Sequence, residues 1–172
     1  MSHLYEPFLS RVRSGGRLLD AGAGSGRDLR EFASRGYLAE GIDASPHMAR
    51  LATAYSGAPC AVTRLEDFAE TAKYDGIWAC ASLLHLPRVS LPGVLEGLRR
   101  ALVPRGILFA SVQEGVGERV LPDGRFYSLY RPDEFEQALE SAGLSPDVIW
   151  GTQDVLRANE APRWVNVIAT AR

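Results

Sequence analysis

The sequence predicts an open, doubly wound α/β sheet whose ligand sits at the carboxyl ends of the strands. Three observations lead there. Short apolar runs alternate with segments of helical apolar spacing. The first run, Arg17-Leu18-Leu19-Asp20-Ala21, feeds three glycines spaced two apart, Gly22, Gly24 and Gly26, and then a polar, helix-compatible stretch. The second run ends in an acid, Asp43, twenty-one residues beyond Gly22.

With 172 residues the chain suits a single domain spanning 1–172, long enough to bury a real core. Its 46% hydrophobic content, 23% charged content and net charge of -2 are ordinary for a soluble globular protein and give no basic footprint for nucleic acid. Cys60 and Cys80 lack the paired spacing of a zinc or redox site, so no metal is expected and free thiols in a reducing cytosol are the default. No apolar run reaches the ~18 residues of a membrane span, and Met1-Ser2-His3-Leu4-Tyr5-Glu6 is not a secretory leader. A cytoplasmic protein away from the membrane is expected.

Tyr5, Phe8, Leu9 and Val12 share one helical face, which predicts a short N-terminal helix within residues 1–16, ended by Gly15-Gly16. It is either a lid that offers Tyr5 to an acceptor or structural padding. The glycine loop follows. Backbone without Cβ atoms turns sharply and lets a ligand approach the N–H groups of the next helix. A dinucleotide fingerprint would put glycine or alanine where Arg27 stands, so NAD is the weaker occupant. Asp20, two residues ahead of Gly22, favours a ligand carrying an ammonium or sulfonium.

Leu18-Leu19-Asp20-Ala21-Gly22-Ala23-Gly24-Ser25-Gly26 resembles the first motif of class I S-adenosylmethionine-dependent methyltransferases. The resemblance runs from Arg17 to Arg172 and implies a Rossmann-like seven-stranded sheet of order 3-2-1-4-5-7-6, with strand 7 antiparallel. It implies S-adenosylmethionine as cofactor and S-adenosylhomocysteine as product. The amino-acid end of the cofactor would lie on Asp20, Ala21 and the loop from Gly22 to Gly26, with Arg27 pairing its carboxylate.

Leu29, Phe32 and Ala33 make the next helical face, with Gly36 as its cap, and Tyr37 to Ile42 is the second strand. Asp43 at its tip is placed to hold a ribose diol, beside Ala44; otherwise it caps a turn. Ser45-Pro46 opens a helix as cap and first residue. Met48 on that helix lies either on a purine ring or in the core. Ala61-Val62 is a weak third strand, and by resemblance Asp67, with Glu66 competing, receives the adenine amine while Phe68 covers its ring.

Tyr74 to Ser82 reads as a buried parallel strand whose end faces the cofactor, and the resemblance gives the main-chain carbonyl near Ala81 to the ammonium. Ser82-Leu83-Leu84-His85-Leu86-Pro87 is similar to the post-strand segment of small-molecule methyltransferases. A neutral His85 there accepts a proton from the methyl acceptor or fixes its position, unless it is simply structural. Neither a Pro-Cys nucleophile nor an Asn/Asp-Pro-Pro-Tyr/Phe signature of nucleic-acid methylation stands at this strand end.

Pro92 opens a helix with Val94, Leu95, Leu98 and Leu102 on one side, ended at Leu102-Val103-Pro104-Arg105-Gly106 before a strand from Ile107 to Val112. Residues 113–130 form a long connection and a candidate acceptor-site loop, with a turn at Leu121-Pro122-Asp123-Gly124-Arg125 and with Phe126, Tyr127 and Tyr130 available to line a pocket. Pro132-Asp133-Glu134 starts the last helix, ended by Gly143, and two strands around Val148 to Trp150 and Trp164 to Ala169 close the sheet as an antiparallel pair.

The expected activity is transfer of a methyl group from S-adenosylmethionine to a small-molecule nucleophile by in-line displacement. The alternatives are methylation of nucleic acid or protein, and a non-catalytic adenosylmethionine-binding subunit that needs a partner. Fewer than twenty residues precede the first strand. That shortage predicts an open acceptor site, a homodimer whose partner covers it, or a lid made by residues 113–130.

Overall fold

The computed structural model describes residues 2–153 and 162–172. A seven-stranded sheet runs through it: β1 (Arg17–Ala21), β2 (Leu38–Asp43), β3 (Cys60–Val62), β4 (Tyr74–Cys80), β5 (Leu102–Gln113) and two closing strands. Helices α1 (Ser2–Leu9), α2 (Arg27–Ser34), α3 (Pro46–Ser56) and α4 (Leu91–Ala101) alternate with them. After β5 come a hairpin of β6 (Gly117–Val120) and β7 (Phe126–Leu129), then α5 (Pro132–Ser141), β8 (Leu144–Gln153) and β9 (Arg163–Ala171).

The spatial order is β3-β2-β1-β4-β5-β9-β8, and only β9 runs against its neighbours. Once the inserted hairpin is set aside, this is the 3-2-1-4-5-7-6 order that the resemblance implied. Order reverses between β1 and β4, so the carboxyl ends of those strands open a crevice. Among the described residues no helix is long and apolar enough to cross a membrane.

Two packed layers hold the sheet. On one face, Val94, Leu95 and Leu98 of α4 and Phe135 and Leu139 of α5 pack on Ile77, Leu108, Ala110 and Val167. On the other, α1 supplies Tyr5, Phe8 and Leu9 against Phe32, Trp78, Phe109 and Ile168. Trp78 and Phe109 stack there with ring centroids 3.9 Å apart, and Phe8 and Phe32 tilt against Trp78 at 5.3 and 5.5 Å. Full burial of each such ring contributes about 1.5–3 kcal/mol, so α1 is structural cladding bound by aromatic area.

Local chemistry sets the element ends as expected in several places. Ser45 caps α3 by accepting from the Met48 N–H, with Pro46 at the first position. Arg131 precedes Pro132 at the start of α5, where the Glu134 carboxylate accepts from the Arg131 N–H. Arg105 has φ +62°, a left-handed conformation that glycine adopts more readily than a residue with a Cβ.

Residues 113–130 depart from expectation. They form a paired hairpin, not an irregular loop, although the turn at Leu121 to Arg125 is where it was expected: the Leu121 N–H donates to the Arg125 carbonyl at 2.8 Å. Polar, exposed strands such as Gly117-Glu118-Arg119-Val120 carry little periodic signal. Residues 154–161 of the connection between the last two strands lie outside the described residues.

Candidate active site

The glycine loop is wedged between two strand ends. Gly22 takes φ +90°, and a Cβ there would come within 2.4 Å of the Ser82 Cβ; Gly26 takes φ +83°, and its Cβ would meet the Ala52 backbone at 2.7 Å. Both positions need glycine for close approach. Gly24 differs: at φ +54° it has nothing within 4 Å of an added Cβ, because it faces an open crevice of about 460 Å³.

Gly22, Gly24, Asp43, Ala44, Glu66, Ala81 and His85 meet around that crevice, with Ile42, Thr63, Arg64, Leu65, Ser82 and Leu86 completing its wall. The carboxylate of Asp43 is pinned from below: Oδ2 accepts from the Gly24 N–H and Oδ1 from the Ser45 N–H, each at 2.8 Å. Each oxygen keeps a lone pair for a ligand hydroxyl. Ala81 is held left-handed at φ +54° by bonds from its N–H to the Ser111 carbonyl and Oγ, 3.2 and 3.0 Å.

Two buried polar atoms at this loop, Asp20 Oδ2 and Ser82 Oγ, have no hydrogen-bond partner among the described residues. Burial, reinforced by the nearby Asp28 charge, pushes the Asp20 carboxyl well above the ordinary carboxylate range. An orphaned buried carboxyl beside a glycine loop suits a cationic ligand group.

Asp28 is the functional neighbour that sequence reasoning passed over. Its carboxylate accepts from Tyr5 Oη at 2.6 Å, from Trp78 Nε1 at 2.9 Å and from Arg27 Nε and Nη2 at 2.6 and 3.0 Å. Burial alone would raise this carboxyl; the bonds from Arg27 and Tyr5 outweigh it and hold it below its ordinary value. An acid in the first turn of a helix is commonplace in sequence, which is why the hub was not legible. Its consequence is a change of role for two expected site residues. Tyr5 is buried and tied to Asp28, so it does not face an acceptor, and Arg27 is engaged by Asp28.

The adenine expectations also shift. Met48 lies on the exposed side of α3, 38% accessible, and Phe68 is buried against Tyr74 in a separate cavity that includes Glu70 and Lys73. Neither reaches the crevice wall, and Asp67 is likewise outside it; Leu65 and Glu66 stand there instead. In the short 3-10 turn at Leu65–Asp67 it is the earlier residues that line the crevice. Among the described residues no group of acids, histidines and cysteines is placed to hold a metal.

His85 closes the other end. Its Nδ1 lies 3.0 Å from the Phe126 carbonyl. A carbonyl only accepts, so Nδ1 donates, and in the neutral form of the ring the lone pair lies on Nε2. Tyr127 packs edge-on against the imidazole, ring centroids 5.0 Å apart. The hairpin is clamped to the same segment by Ser128 Oγ donating to the Leu86 carbonyl at 2.6 Å and by Glu118 accepting from the Arg88 N–H at 2.7 Å. Phe126 and Tyr127 therefore contact His85 and lie outside the crevice wall itself.

Comparison with known proteins identifies the family and the fold. The family model described as a methyltransferase domain matches residues 1–147. A Burkholderia thailandensis 1,6-didemethyltoxoflavin-N1-methyltransferase, solved with 1,6-didemethyltoxoflavin and S-adenosylhomocysteine, superposes with a TM-score of 0.80 at 23% identity, covering 99% of this chain and 76% of that one. A Methanosarcina mazei S-adenosylmethionine-dependent methyltransferase gives 0.85 at 18% identity, covering 97% of each chain. A Haemonchus contortus phosphoethanolamine N-methyltransferase, in complex with phosphomonomethylethanolamine and S-adenosylhomocysteine, gives 0.80 at 16% identity, covering 99% of this chain and 52% of that one. At these identities the likeness establishes the fold. No curated protein sequence matches the chain.

Proposed function

This chain belongs to the methyltransferase-domain family, and from that premise we propose that it transfers the methyl group of S-adenosylmethionine to a small-molecule nucleophile by in-line displacement. The observation that carries the reading is one crevice that runs from Asp43 and Glu66, past the glycine loop, to the free Nε2 of His85. Its volume of about 460 Å³ is that of a small-molecule site.

The residues present fit the cofactor. The orphaned Asp20 carboxyl and Ser82 hydroxyl offer partners to an ammonium and a carboxylate, and the open face at Gly24 admits the ligand against the main chain. The remaining lone pairs of Asp43 suit a ribose diol, and Glu66, the other acid of the crevice wall, suits an adenine amine. When bound, S-adenosylmethionine supplies a methyl group already activated on a positively charged sulfur.

The chain's own work is alignment and proton removal. His85 Nε2 takes the proton of an acceptor O–H or N–H, while the Phe126 carbonyl fixes the ring and stabilises the imidazolium that results. The hairpin from Gly117 to Leu129 stands beside that end, anchored to the segment after β4 by the Ser128–Leu86 hydrogen bond. The small-molecule acceptors of the toxoflavin and phosphoethanolamine enzymes agree with a site of this size.

The test is calorimetric titration with S-adenosylhomocysteine, with NAD as control, on the wild type and Asp43→Ala. Micromolar binding that weakens about tenfold or more in the variant is expected, since a charge-assisted hydrogen bond is worth about 1.5–3 kcal/mol. NAD binding instead would sink the reading. In a turnover assay on any accepted substrate, His85→Gln should lower kcat by about 100-fold or more and leave S-adenosylhomocysteine affinity unchanged.

A further inference from the structure

Beyond His85 the hairpin presents two side chains in a row, Tyr127 and Arg119, whose chemistry the reading above does not use. Arg119 and Tyr127 are directly paired across β6 and β7, so their side chains stand together on one face. Tyr127 in turn packs edge-on against His85. Its ring is fixed from the far side, because Arg125 Nη1 donates to its hydroxyl at 3.0 Å.

The guanidinium of Arg119 is held from behind. Its Nη2 donates to Gln113 Oε1 at 2.7 Å, and Gln113 is 6% exposed at the carboxyl end of β5. Gln113 belongs to the face of β5 that carries Phe109 and Ser111, and Ser111 bonds the N–H of Ala81 in the crevice wall. The row therefore leads back to the proposed cofactor site.

Charge sets Arg119 apart from the other cations on this side. Arg27, Arg88, Arg125 and Arg163 each have a carboxylate within 4.0 Å. Among the described residues Arg119 has none, only a neutral buried amide that orients it. A guanidinium steadied in this way and left with its remaining donors free suits bidentate capture of a carboxylate or phosphate.

Resting on the methyl-transfer reading, we propose that the acceptor is a flat organic anion: its O–H or N–H nucleophile at His85, its ring along Tyr127 and its carboxylate or phosphate on Arg119. One aromatic residue separates the base from the cation, so a single ring carrying the nucleophile and the anion on opposite sides spans the row.

The experiment is a ligand-observed NMR titration of the full chain with benzoate, phenyl phosphate and the neutral benzamide, with and without saturating S-adenosylhomocysteine. Wild type, Arg119→Gln and Arg119→Lys are compared; Arg119 is exposed, and thermal melts check that both variants fold. At least one anion should bind wild type about tenfold more tightly than benzamide, and which anion does so tells carboxylate from phosphate. The preference should fall below about twofold in Arg119→Gln and return in part in Arg119→Lys, with S-adenosylhomocysteine affinity unchanged. Equal binding of benzamide, no binding of either anion to wild type, or a preference that survives Arg119→Gln overturns the proposal. Failure of wild type to bind S-adenosylhomocysteine would count against the cofactor alone, and the anion preference of the free chain would still decide this point.

Discussion

Replacing Asp28 with alanine is the most informative single perturbation, because one carboxylate joins α1, α2 and β4 beneath the glycine loop. It accepts four hydrogen bonds, from Tyr5, Trp78 and twice from Arg27. In Asp28→Ala the Tyr5 hydroxyl and the Trp78 indole N–H, on residues 5% and 0% exposed, lose their partner. Each buried donor left unpaired costs about 1–3 kcal/mol. The Arg27 side chain is 56% exposed and regains water, so its two bonds add little. Relief from desolvating a carboxylate offsets part of the loss. The net expectation is about 3–4 kcal/mol, which for a chain of this size lowers Tm by roughly 10 °C. Urea unfolding followed by tryptophan fluorescence reads it as a shift in midpoint at constant slope. Tyr5→Phe removes one bond and should cost about 1 kcal/mol. The two substitutions should couple by about 1 kcal/mol in a double-mutant cycle, since they share that bond. Asp28→Ala within about 1 kcal/mol of wild type, or strict additivity with Tyr5→Phe, would refute the hub.

Two further outcomes follow from the loop. Gly22→Ala meets Ser82 Cβ at 2.4 Å and should unfold or severely destabilise the protein, whereas Gly24→Ala projects into open space. The latter should cost only about 1–2 kcal/mol for its left-handed backbone yet abolish S-adenosylhomocysteine binding; a Gly24→Ala variant that binds normally would remove that loop from the site. The second concerns pH. Asp20 has its folded carboxyl raised by burial, so its contribution to stability is full below the ordinary carboxylate value and is lost as pH rises through the raised one. Asp28, lowered, has the opposite sign, its contribution being lost as pH falls. Thermal melts from about pH 4 to 8 should therefore show a decline on the alkaline side that Asp20→Asn flattens, and parallel curves for the two proteins would contradict the assignment.

Much of this protein was legible in the sequence because its signals are local. Alternating apolar runs, three glycines after the first strand and an acid after the second determine a doubly wound sheet and the position of its crevice, since backbone sterics and strand burial act over a few residues. Ser45 and Pro46 announced a helix start for the same reason. Tertiary structure alone decided which side chains line the crevice. Phe68 and Asp67 were expected at the adenine, but it is Leu65 and Glu66 of the turn from Leu65 to Asp67 that line the crevice. Tyr5 was a candidate for the acceptor until Asp28, twenty-three residues away, took its hydroxyl. The tautomer of His85 depends on a carbonyl forty-one residues downstream, and Arg119 on an amide at the end of β5. Such pairings join residues whose separation along the chain carries no periodic signal, so only packing brings them together.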